Sequence, residues 1–70
     1  MPLSSGKLSE SYSIKSIGSV DDEMKDFLFS LGFYTGQTVT IISKLASNYI
    51  INVKDARYSI DKELAQAILV

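Results

Sequence analysis

Two glycines, Gly32 and Gly36, lie four residues apart in FLFSLGFYTGQTV, the stretch from Phe27 to Val39. Glycines so spaced can cradle a phosphate, pack two membrane helices, or shape a change of chain direction. A phosphate cradle needs Lys and then Ser or Thr after the second glycine, with a strand before the first. Here Gln37 and Thr38 follow, and a helical pattern precedes. A helix-packing pair needs an apolar run of about 20 residues, which this chain lacks. The reading that remains is structural: Gly32 stops a helix and Gly36 shapes a turn.

Other residues with chemical potential are few. Asp21, Asp22, Glu23 and Asp26 are the densest acidic group. Asp22 and Asp26 stand one helical turn apart and could hold a hard cation. At a helix start, however, carboxylates are favoured by the dipole and remain solvated. The chain has no histidine and no cysteine. That leaves only carboxylates, hydroxyls and carbonyls as metal ligands, a hard-cation set at best, and neither a metal site nor a cofactor is expected. The same absence removes the common bases and nucleophiles. Lys15-Ser16 and Ser43-Lys44 are adjacent on expected strands, so their side chains point to opposite faces and cannot share a proton. The chain is therefore expected not to be an enzyme.

Seven Lys and Arg against eight Asp and Glu give a net charge of −1. The cations are scattered singly, without the basic stripe that displaces counterions from nucleic acid. No apolar run reaches the ~20 residues of a membrane span. The opening MPLSSGKLSES is too polar for a signal peptide, and a cytoplasmic protein is expected. Residues 1–70 form one domain, and a chain this short buries only about 60% of its unfolded surface.

Periodicity supplies the elements. Residues from Tyr12 to Ile17 alternate as a first strand that Gly18 ends. In SVDDEMKDFLFSLG, Met24, Phe27, Leu28 and Leu31 share one helical face. Ser19 is the expected cap, with Asp22 three residues on, and Gly32 takes the left-handed position after the last turn. Thr35-Gly36 forms the middle of a type II turn. Gln37 to Leu45 follows as a strand, with Val39, Ile41 and Leu45 on one side and Ile42 on the polar side. Ala46-Ser47-Asn48 turns the chain into a strand where Tyr49, Ile51 and Val53 alternate with polar neighbours. Asp55-Ala56 connects to a strand from Arg57 to Ile60. Asp61 caps KELAQAI, whose Leu64, Ala65 and Ile68 share a face, and Leu69-Val70 ends as a short strand.

This gives a mainly β protein with short helices. Short, bent strands in so few residues favour a small barrel over an open sheet with exposed edges. Surface aromatics are enriched at protein contacts. Phe33, Tyr34, Leu45 and Tyr49 are the expected partner-binding residues, on two loops that should lie near each other, although Phe33 also reads as a packing residue.

LGFYTGQTV resembles the L-G-x-x-P-G-x-x-V signature of the FeoA domain family through Leu31, Gly32, Gly36 and Val39, with Thr35 at the usual proline. The tail YSIDKELAQAILV is similar to the family's ending at Ser59, Ile60, Ala65, Ile68 and Val70, and MPLS to its usual start. The chain departs from the family in the loop Leu45 to Tyr49 and at Leu8-Ser9, where a proline-glycine pair is usual. The resemblance implies an SH3-like β-barrel with a helix inserted after the first strand. It also implies an accessory role in bacterial ferrous iron uptake, through contact with the cytoplasmic region of the FeoB GTPase-permease. The same barrel closes some iron-dependent repressors, so the alternative is a stand-alone regulatory barrel that binds an iron-responsive transcription factor.

Overall fold

Strand-forming residues in period-two patterns and two capped helical stripes produce the elements of the computed structural model, which describes residues 1–18 and 20–70. A short 3-10 turn, Leu3–Ser5, comes first. Then follow β1 (Ser11–Ser13), β2 (Ser16–Ile17), α1 (Asp22–Ser30), β3 (Thr38–Leu45), β4 (Asn48–Val53), β5 (Ala56–Asp61), α2 (Lys62–Ala67) and β6 (Ile68–Leu69). Thus the expected first strand is two strands. β1 joins a four-stranded antiparallel sheet of order β1-β3-β4-β5, and β2 pairs with β6 in a separate two-stranded sheet. The arrangement is a small SH3-like β domain, but its ladders do not close into a continuous barrel. At the crossing, Ile14 N–H donates to the Gln37 carbonyl at 2.9 Å and Lys15 N–H to the Leu69 carbonyl at 2.7 Å.

Val39 and Ile41 from β3, Ile51 and Val53 from β4, and Ile60 from β5 point into one core, with Ile68 from β6. Leu28, Phe33 and Ala65 fill it from the helical side. Leu3 is buried in this cluster, whereas Leu8 is exposed.

Other sequence expectations need correction. Leu45 does not face inward with Val39 and Ile41. The β3–β4 register shifts between Ile41 and Ser43. The extra residue reverses the side-chain parity beyond it. Lys44 therefore pairs with inward-facing Tyr49, and Leu45 pairs with Asn48 and stands 61% exposed. Phe27, placed on the buried helical stripe, is 52% exposed, because α1 buries Leu28 fully and Met24 and Leu31 in part. The expected Ser19 cap lies outside the described residues; the N-cap of α1 is Asp21, whose Oδ1 accepts from Met24 N–H at 2.8 Å.

The Asp61 cap is present, with Oδ1 accepting from Leu64 N–H at 2.8 Å. Each hairpin turns through two residues, Ala46-Ser47 and Lys54-Asp55, so Asn48 and Ala56, expected in the turns, already belong to β4 and β5. Lys54 and Asp55 have φ of 51° and 64°, which is the left-handed pair of a type I′ turn achieved without glycine.

Candidate functional site

Three local structures converge where α1 ends. Beyond the C-cap Leu31, Gly32 has φ of 100°. Gly32 N–H donates to the Phe29 carbonyl at 3.0 Å, and Phe33 N–H to the Leu28 carbonyl at 3.1 Å. This nested pair is the Schellman motif, and it satisfies two carbonyls the helix leaves free. It turns Phe33 inward, into the same buried cluster as Leu28. The next residues form the expected type II turn: Gln37 N–H donates to the Tyr34 carbonyl at 3.0 Å, and Gly36 has φ of 91°. Thr35, at the proline position of the signature, holds the turn another way. Its Oγ1 donates to the Lys15 carbonyl at 3.2 Å.

The two motifs leave Tyr34 pointing outward. Its ring stacks on Phe29 of α1, with centroids 5.9 Å apart and planes 15° from parallel. Lys54 Nζ, from the β4–β5 turn, lies 5.5 Å from the centre of the Tyr34 ring. The Lys54 stem also passes over Gly32. Phe29 and Tyr34 are exposed, and exposed Phe27 lies on the other flank of α1. The result is an aromatic surface with one cation, built from a helix, a turn and a hairpin tip.

The four expected partner-binding residues divide. Tyr34 and Leu45 are exposed. Phe33 is fully buried and Tyr49 only 5% exposed, so neither offers a contact surface. Phe33 packs on Tyr58 at a centroid distance of 5.9 Å. Tyr49 follows the inward parity of Ile51 and Val53, and Lys44 Nζ sits 5.2 Å from its ring centre. Phe29 and Lys54 were not expected in the site. Phe29 is legible as the aromatic off the Met24–Leu28–Leu31 stripe. Lys54 has no such signal, because only the fold brings it across to Tyr34.

An open cleft of about 260 Å³ between the two helix starts is lined by Val20, Asp21, Met24, Asp61, Glu63 and Leu64. One carboxylate oxygen of Asp21 and one of Asp61 already accept cap hydrogen bonds there. No group of three or more Asp or Glu residues among the described ones is arranged to hold a metal ion. Anaerobic Fe(II) titration followed by calorimetry is therefore expected to give no stoichiometric binding, and sub-micromolar affinity would contradict this. No described helix is long and apolar enough to cross a membrane.

The family model for the FeoA domain matches residues 1–70. The chain belongs to the FeoA domain family. Among solved structures, FeoA of Stenotrophomonas maltophilia complexed with zinc, described as an SH3 domain protein, is 24% identical at a TM-score of 0.89. The match covers 100% of this chain and 88% of that one. An iron uptake regulatory protein, also FeoA, is 25% identical at a TM-score of 0.82, covering 97% of this chain and 89% of that one. A manganese-dependent transcriptional repressor shares the fold at 17% identity and a TM-score of 0.87, and this chain spans 39% of its length. No curated protein matches the chain by sequence. The family is associated with ferrous iron transport.

Proposed function

We propose that this FeoA-family domain is a non-enzymatic adaptor of ferrous iron uptake that acts by contact with the cytoplasmic region of the FeoB GTPase-permease. The single observation that carries the reading is the exposed Phe29–Tyr34 stack beneath Lys54. Surface aromatics held rigid lose little entropy on binding and are enriched among residues that dominate contact energy. A docked domain can bias its partner only by binding one of its states more tightly than another. The described residues supply such a surface, and they supply no histidine, thiol or metal cluster for chemistry.

Calorimetric titration of the purified cytoplasmic region of FeoB tests the reading. Phe29→Ala and Tyr34→Ala should each weaken binding roughly 10–30-fold, the loss expected for a contact worth about 2 kcal/mol. Both side chains are exposed, so the circular dichroism spectrum should not change. Unaltered affinity in both variants would remove the aromatic stack from the interface. Capture of a DNA-binding protein in place of the permease would favour the regulatory alternative.

A further inference from the structure

The four-stranded sheet ends at β5, whose outer edge pairs with no strand among the described residues. The Lys54-Asp55 turn fixes which groups lie on that edge. In a two-residue hairpin the flanking residues, here Val53 and Ala56, form the closing hydrogen-bonded pair. The bonded pairs then continue at Ile51–Tyr58 and Tyr49–Ile60 of the observed register. Arg57, Ser59 and Asp61 alternate with them, so their backbone groups point away from β4. Arg57 and Ser59 make no other backbone hydrogen bond among the described residues. Their side chains and that of Asp61 are exposed, whereas Tyr58 is half-buried and Ile60 buried.

The segment Arg57-Tyr58-Ser59-Ile60-Asp61 is complementary to itself when reversed about Ser59. We propose that β5 pairs edge to edge with β5 of a second copy of this chain, antiparallel and two-fold symmetric about Ser59. In that register each Arg57 lies opposite the other copy's Asp61, Ser59 meets Ser59, and Tyr58 meets Ile60. Registers centred on Arg57 or Asp61 set like charges opposite each other, which opposes pairing. Charges on an edge strand usually repel unrelated strands. Here the same charges reject other partners and accept a second copy, as an isologous contact requires. The inference is independent of the adaptor reading, since neither Phe29 nor Tyr34 lies on this edge.

Sedimentation velocity of the full chain from micromolar to millimolar concentration tests it. The expected result is a reversible monomer–dimer equilibrium that weakens as salt is added. Arg57→Glu sets acid opposite Asp61 at two symmetric positions and should lower the association constant about tenfold. Ser59→Pro removes the central edge N–H and no bond to β4, and should abolish the dimer. Arg57 is exposed, so its variant keeps the test valid even where Ser59→Pro fails to fold. A chain that stays monomeric at millimolar concentration overturns the proposal. So does a dimer that tolerates Arg57→Glu at unchanged affinity.

Discussion

Phe33→Ala is expected to remove about half of the domain's stability or more. Phe33 is wholly buried, packs on Tyr58, and is the residue that the Schellman motif turns against Leu28. Truncating a buried phenylalanine costs about 3–5 kcal/mol, and a chain of this length has roughly 4–10 kcal/mol of stability in total. Removing it also deprives α1 of an apolar anchor, because Leu28 is the one fully buried residue of that helix. Urea denaturation followed by circular dichroism measures the loss. Tyr34→Ala, one residue along, is the control, and its exposed ring should cost less than about 1 kcal/mol. Near-equal losses for the two variants would mean that the burial of Phe33 is not what holds α1 to the sheets.

Gly32→Ala has the second largest expected effect on stability. A side chain at φ of 100° is strained, and an added Cβ would stand 2.9 Å from Lys54 Cδ. Gly36 has a similar φ of 91° but no atom within 4 Å of an added Cβ. Both alanine variants should therefore carry backbone strain of about 1–3 kcal/mol. Gly32→Ala should lose more, because it also pushes Lys54 away from Tyr34 and forfeits a cation–π contact of about 0.5–1 kcal/mol. Thermal melts of the two variants give the order. A double-mutant cycle with Lys54→Ala isolates the steric part, since Gly32→Ala should be less damaging once the lysine stem is gone. Equal costs in both backgrounds would show that backbone strain accounts for the whole effect.

The legible parts of this molecule are those fixed by neighbours in the chain. Gly32 and Gly36 were readable as a helix stop and a turn because the left-handed conformations they adopt favour glycine. Asp61 was readable as a cap because its side chain reaches only the amides just after it. Tyr49, Ile51 and Val53 announced their common face by alternation, and that pattern outweighed the notion of Tyr49 as a surface residue. The outward position of Leu45 is not legible, because nothing in TVTIISKL marks Ile42 as an extra residue, and a single insertion reverses every side chain beyond it. The exposure of Phe27 is not legible either, because the i, i+3, i+4, i+7 rule describes a stripe wider than the face that α1 buries. The candidate surface was half legible. Tyr34 follows from local turn chemistry, but its stack with Phe29 and Lys54 depends on how the helix and the β4–β5 turn meet in space.

The extended run from Ser11 to Ile17 serves both sheets. Ser11–Ser13 pairs with β3, Ser16–Ile17 pairs with β6, and Ile14 between them is buried at the crossing. Pulling either half loose should drag the other out of register, so the described residues offer no seam along which one layer would melt while the other survives. Heat and denaturant should therefore take it apart in a single all-or-none event, with secondary-structure and aromatic signals lost together.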